Sequence, residues 1–411
     1  MWLLYRVLAL CLSPLWLAYL ALGQRGALRL RERFGFWPKI AGNPVWIQAV
    51  SVGEVRLALR LAARLRELGI ASTLTSTTAA GLALASKEAP EGLPVFAFPL
   101  DLPSCVGRVM AAVKPRALVL VETEIWPTLF RQARSRGVPV FIANGRLSDR
   151  AFGRTLRFKD LYGAALKEAH VAAQSEEHAA RFKLLGAYPG RIQVLGNMKV
   201  DLVPPPDFET RCEELKNLVP TGPLWIAGSV REGEEDLVLQ AHLDLRRTVP
   251  SARLILAPRH LDRSQLCVDL ARAKGFTPAR RSQSPGDQWD ILVLDTVGEL
   301  WSAYALGQCA FVGGSLVPLG GQNVLEPAFL GKPVLFGQHT ENFREEAERL
   351  CASGGGLRVG NPRELAWRVG AFLSDPDFAR ATGERARLAI QHHRGAVDRV
   401  ARWIADALPE P

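Results

Sequence analysis

Several short stretches of this 411-residue chain set reactive side chains beside glycines or at the ends of apolar runs. Glu54 follows Ser51-Val52-Gly53, Glu122 and Glu124 lie in VETEIWP (121–127), and Lys199 closes GNMK (196–199). Arg259 and His260 follow Pro258, and Asn323 and Glu326 sit in GGSLVPLGGQNVLEPAFLGKPVLFG (313–337). A carboxylate beside a glycine can take a proton from a substrate hydroxyl, although a helix start favours its ionised form and weakens it as a base. Lys199 and Arg259 can meet developing negative charge or grip a phosphate. Gly313, Gly314, Gly320 and Gly321 let backbone approach a ligand, a helix start aims N–H groups at an anion, and Glu326 one turn in can accept ribose hydroxyls. That combination fits a nucleotide-phosphate or nucleotide-sugar pocket. Each group also has a structural role open to it. Glu54 can satisfy first-turn N–H groups, one of Glu122 and Glu124 can cap a helix, Lys199 can be a solvated surface residue, and the glycines can serve a tight turn. Strand alternation would send Glu122 and Glu124 to one side, where they repel unless a cation or hydrogen bonds intervene.

These residues need elements that present them together. From Val45 onward, short apolar runs alternate with helical spacing: VWIQAV (45–50), ASTLTS (71–76), PVFAFP (94–99), ALVLVE (117–122), VPVFIA (138–143), HVAAQ (170–174) and RIQVLG (191–196). Pro204-Pro205-Pro206 breaks the pattern, which restarts with PLWIAGS (223–229), ARLILAP (252–258), DILVLD (290–295), CAFVGG (309–314) and PVLFG (333–337). Unalternating strands with helical crossovers predict parallel, doubly wound sheets, so the chain reads as α/β with two Rossmann-like halves. In such sheets ligands bind beyond the carboxyl ends of the strands, where the residues above fall, and a cleft between the halves is the default active site. REGEE (231–235) reads as a helix start with free N–H groups, and DTVGEL (295–300) as a strand end that lines a base pocket with backbone groups. Residues 376–408 read as C-terminal helices.

Composition narrows the setting. With 48% hydrophobic and 22% charged residues the chain is an ordinary globular protein. A net charge of +10 implies anionic surroundings. Six scattered cysteines without a CxxC pair read as buried thiols, not as a disulfide frame or zinc site. Residues 2–22 are apolar apart from Arg6 and Ser13, and Arg25, Arg29, Arg31, Arg33 and Lys39 follow. This reads as a retained anchor, single-pass or monotopic, with a cytoplasmic basic flank, in preference to a cleaved signal peptide ending near Gly23. Phe34, Phe36 and Trp37 interleave with those basic residues and suit a hold on lipid headgroups.

SVGE, ETEIWP, NGRLSDR (144–150), GNMK, GSVREGEE, PRH, DTVGEL and GGSLVPLGGQNVLEP follow one another in an order that resembles the 3-deoxy-D-manno-octulosonic acid (Kdo) transferases of lipopolysaccharide assembly. The resemblance implies a GT-B glycosyltransferase, with two Rossmann-like domains facing a cleft, that moves Kdo from CMP-Kdo to a lipid A precursor (lipid IVA) at the cytoplasmic face of the bacterial inner membrane. It implies a membrane anchor at 1–23, an acceptor domain at 24–203 and a CMP-sugar domain at 204–411, whose last helix packs back on the first domain. Glu54 resembles the general base, with Glu124 and Lys199 supporting the transition state and the choice between Glu122 and Glu124 left open. Pro258, Arg259, Val297, Gly298, Glu299, Asn323, Val324, Leu325 and Glu326 resemble the CMP site. CMP is a good leaving group and no DxD-like acidic site stands out, so neither a metal nor a separate cofactor is expected. An NAD oxidoreductase fits poorly because SVGE stands where GxGxxG would follow the first strand. A membrane-tethered binder of anionic lipid or nucleic acid rests on charge alone, and nucleic acid is not expected as a partner.

Overall fold

Runs such as ALVLV (117–121) leave a strand with two dry faces, which only helices on both sides can cover. The computed structural model describes residues 29–283, 286, 288–391 and 394–408, and it meets that demand twice. One compact unit runs through Asp201 and resumes at Gly395, and the other is Leu202–Arg394. Each is a Rossmann-like α/β unit built on a seven-stranded sheet whose pairings are all parallel.

The first unit holds β1 (Val45–Ala49), β2 (Ser72–Ser76), β3 (Val95–Ala97), β4 (Ala117–Val121), β5 (Val140–Gly145), β6 (His170–Ala173) and β7 (Ile192–Val194), in the order β3-β2-β1-β4-β5-β6-β7. β1, β2, β4 and β5 are buried along their whole length. The chain winds outward from β1 to β3 and then returns to β4 on the other flank of β1. The carboxyl ends of β1 and β4 are therefore the switch point at which a doubly wound sheet opens a crevice. Helix Val52–Glu67 leaves β1 there and buries Val55, Ala58, Leu61, Ala62 and Leu65.

The basic, aromatic segment after the apolar N-terminus divides by depth. Arg33 is buried and donates through Nη2 to the Thr77 carbonyl at 2.9 Å, and Trp37 is 8% exposed, stacked on Phe96 with centroids 4.6 Å apart. These two belong to the core and not to a headgroup-facing surface, whereas Leu30, Phe34 and Phe36 are exposed. Residues 1–23 lie outside the described residues. Among the described residues no helix is long and apolar enough to cross a membrane.

Helix Ala396–Ala407 completes this unit by laying Ala396, Val400, Ala401 and Ile404 into the core that holds Val55 and Leu61. Its entry is fixed by Asp201, whose Oδ1 accepts the Gly395 N–H at 2.5 Å and whose Oδ2 accepts the Val397 N–H at 2.6 Å. Arg64 adds an ion pair to Asp398 at 2.5 Å.

The second unit holds β8 (Leu224–Val230), β9 (Arg253–Pro258), β10 (Pro278–Arg280), β11 (Ile291–Val293), β12 (Cys309–Val312), β13 (Val334–Phe336) and β14 (Gly356–Arg358), in the order β10-β11-β9-β8-β12-β13-β14. Its switch point lies between β8 and β12. β10 and β14, which have no counterpart among the apolar runs, are three-residue strands at the two edges.

Truncating Ile404 to alanine should open a cavity at the contact between the last helix and helix Val52–Glu67 and lower unfolding stability by about 3 kcal/mol. Guanidinium titration checks this, with the loss confined to the transition of the first unit.

Candidate active site

At the switch point of the first unit, Glu54 plays two parts with one carboxylate. The Ser51 hydroxyl accepts the Glu54 N–H at 3.3 Å and donates to Glu54 Oε1 at 2.7 Å, while the Val50 N–H donates to Oε2 at 2.8 Å. This is a capping-box arrangement, so the structural role open to Glu54 is filled. Its proton affinity is nevertheless raised. Burial pushes it up most and the charge of Glu122 adds to this, outweighing the bonds from Val50 and Ser51 that pull the other way. A helix start alone would predict a weaker base than an ordinary carboxylate, and burial reverses that.

β4 stops at Val121, and Glu122 turns into the left-handed region at φ +62° with its N–H on the Ala143 carbonyl at 2.8 Å. Strand alternation therefore does not carry through ETE. The Lys199 ammonium sits 2.6 Å from Glu122 Oε1, so the cation that Glu122 and Glu124 require is supplied to Glu122. Glu124 is pushed up to about 7, by burial first and then by the charges of Glu54 and Glu122, with Arg154 pulling down. Three carboxylates and one ammonium thus form a single cluster drawn from β1, β4 and the turn Met198–Val200. Such a group holds a proton into the neutral range and can accept or return one.

The second unit places its sequence-derived residues on successive strand ends. Pro258 closes β9, and Arg259 is exposed with its guanidinium in no ion pair among the described residues. After β11, Val297 is 78% exposed and Gly298 has φ +88°, so the turn presents backbone outward, while the Val297 carbonyl accepts from Arg211 at 2.8 Å. Glu299 points inward. It is buried, paired with Arg281 at 2.9 Å, and accepts the Thr296 hydroxyl. A cavity of about 610 Å³ opens here, lined by Arg211, Arg281, Ser282, Thr296, Val297 and Glu299 among others. After β12, Asn323 donates to Glu326 Oε1 at 3.1 Å and accepts the Leu325 N–H at 3.1 Å, which fixes the carboxylate. The side chains of Val324 and Leu325 are buried, and the Leu325 N–H is already held by Asn323. A larger cavity of about 830 Å³ is lined by residues that precede β5 and β6, at the amino ends of the first sheet and opposite Glu122.

The glycine loop differs most from its sequence reading. The fully buried Glu234 accepts N–H groups from Ser315 at 2.8 Å and Leu316 at 2.7 Å through Oε1, and from Gly314 and, at 3.0 Å, Arg231 through Oε2. The backbone nest that suggested a phosphate site thus holds the protein's own carboxylate. A Cβ on Gly313 would lie 2.6 Å from the Ser229 carbonyl, so glycine here serves close packing of two strand ends. The helix expected from Arg231 begins at Glu235, because residues 231–234 form the turn that delivers Glu234. Sequence reasoning passed over Glu234, since only the adjacency of β8 and β12 brings REGEE to GGS.

Residues 28–202 match the model of the family described as 3-deoxy-D-manno-octulosonic-acid transferase (kdotransferase). The chain is similar to the 3-deoxy-D-manno-octulosonic acid transferase of Haemophilus influenzae, with 33% identity over 410 residues and 96% of each chain covered. It is also similar to the enzyme of that name from Bordetella pertussis, with 35% identity and 90% of this chain and 89% of the relative covered. In fold it resembles a glycosyltransferase from Rickettsia africae, with TM-score 0.61 and 14% identity over 89% of this chain and 98% of the other.

Because Glu124 holds its proton up to about 7 when folded, against an ordinary 4.5, its stabilising contribution is full below about pH 4.5 and is lost as pH rises through about 7. Denaturant titrations across that window should show the first unit losing stability with rising pH, and Glu124→Gln should flatten the slope.

Proposed function

The chain belongs to the 3-deoxy-D-manno-octulosonic acid transferase family, and from that premise we propose that Glu54 activates a hydroxyl of lipid IVA for attack on CMP-Kdo. The protein is a glycosyltransferase that transfers Kdo in lipopolysaccharide biosynthesis. The observation that carries the mechanism is the carboxylate cluster at the ends of β1 and β4, where burial and Glu122 raise the proton affinity of Glu54 while Ser51 and Val50 hold its orientation. Glu54 takes the proton from the acceptor hydroxyl, and the oxygen bonds to the anomeric carbon of Kdo with inversion. The bond from that carbon to the CMP phosphate breaks, and CMP leaves with the electron pair. Glu124 and Lys199 stabilise charge around the reacting oxygen.

On the donor side, the exposed guanidinium of Arg259 binds the departing phosphate, Glu326 as held by Asn323 accepts the ribose hydroxyls, and the Val297-Gly298 backbone reads the base. Glu299 supports that turn through Arg281 and makes no claim on the nucleotide itself. These groups supply charge stabilisation without a metal.

The acceptor is a phosphorylated lipid, and a +10 chain suits it. Exposed Leu30, Phe34 and Phe36, with Arg31 and Lys39 nearby in sequence and Arg108 over the Phe36 ring at 4.5 Å, give a face that can rest on headgroups. We place the protein at the cytoplasmic face of the inner membrane, with residues 1–23 as a spanning or inserting anchor.

The test is transfer from CMP-Kdo to lipid IVA in membrane vesicles, read by mass spectrometry. Glu54→Gln should lower kcat about a thousandfold while CMP still raises the Tm of the variant. A wild-type protein that forms no product, or a Glu54→Gln variant at full rate, would overturn the reading.

A further inference from the structure

The reaction leaves NGRLSDR without a task, yet its first residue lies next to the acidic cluster. Asn144, at the carboxyl end of β5, is fully buried and has φ +59°, a left-handed conformation that asparagine tolerates better than most residues. Its backbone carbonyl accepts from Gln174 at 3.2 Å, and its Oδ1 accepts the N–H of Met198, 54 residues further on, at 2.9 Å. The turn Met198–Val200 is anchored by the buried Met198 and Val200 and tightened by Asn197, whose side chain accepts the Lys199 N–H at 2.9 Å. Lys199 then reaches Glu122 at 2.6 Å. The residue before Asn144 holds the other partner, because the Ala143 carbonyl accepts the Glu122 N–H at 2.8 Å. Two consecutive residues of β5 therefore hold the backbones on both sides of one ion pair.

We propose that Asn144 is a positioning residue for transfer, which through Met198 keeps Lys199 on Glu122 and so limits how much of the Glu122 charge acts on the base. The inference rests on Glu54 being that base. The groups facing one another are Glu122 after β4, Lys199 from the turn, Glu54 from helix Val52–Glu67, and Glu124 from the loop after Glu122, with Arg154 of helix Asp149–Leu156 acting on Glu124. Without the amide, the Met198 N–H is a buried donor with no acceptor, the turn shifts, and Lys199 leaves Glu122. An unneutralised Glu122 favours the protonated form of Glu54, and Glu54 must be unprotonated to work. The acid limb of the rate profile then moves to higher pH.

Asn144→Gly keeps the left-handed backbone and deletes the amide, whereas Asn144→Asp keeps the acceptor oxygen. Transfer from CMP-Kdo is measured across pH for both, alone and combined with Lys199→Met. Asn144→Gly should lower kcat about tenfold and move the acid limb up by about half a pH unit, with KM for CMP-Kdo changed less than about twofold. Asn144→Asp should recover most of that kcat at alkaline pH. On the Lys199→Met background, Asn144→Gly should add less than about a twofold further loss. A wild-type kcat and profile in Asn144→Gly, or losses that multiply in the double variant, would overturn the proposal. If Asn144→Gly does not unfold cooperatively, Asn144→Ser, too short to reach Met198, runs the same cycle. A Glu54→Gln enzyme at full rate would bring down the base assignment instead.

Discussion

Three carboxylates at the ends of two neighbouring strands repel one another, and burial sharpens the conflict by removing the water that would screen them. Most of what surrounds the first switch point answers that repulsion. Lys199 supplies one positive charge, Ser51 and Val50 supply donors, and Arg154 adds a more distant cation. The compensation is incomplete. What remains is expressed as raised proton affinity on Glu54 and Glu124, the property that the proposed base at Glu54 needs. A fully neutralised cluster would be more stable and a poorer base.

The second switch point meets the same topology with the opposite economy. There a single buried carboxylate, Glu234, satisfies four backbone N–H groups from two strand ends and is itself fully satisfied. The result is rigidity with no reactivity. The residues proposed for the nucleotide, Arg259, Val297-Gly298 and Glu326, follow other strands or lie further along the loop after β12. One fold thus uses a carboxylate at a strand end in two ways, and the number of donors around it decides which.

Both sheets were legible because their central strands are buried on two faces and so carry unbroken apolar runs. β10 and β14 were not, since an edge strand of three residues pairs on one side and needs no such run. The reactive residues were legible as types and positions after strands, as with Glu54 and Lys199. Their mutual arrangement was not, because it depends on sheet order and on Glu122 adopting φ +62° where alternation would have continued. Glycine content misled at Gly313 and Gly314 for a related reason. A loop that can cradle a phosphate can cradle a glutamate equally well, and Glu234 lies about 80 residues away in the chain.

The return of helix Ala396–Ala407 to the first unit has a consequence for synthesis. Residues 202–394 form a contiguous unit, whereas the unit that carries Glu54 needs a helix from near residue 400 to finish its core. On a ribosome making the chain from its N-terminus, the second unit can therefore complete its core before the first does. A nascent chain that has not yet reached residue 400 lacks the packing behind helix Val52–Glu67, which carries Glu54, so the setting of that carboxylate waits on a segment made after the whole second unit.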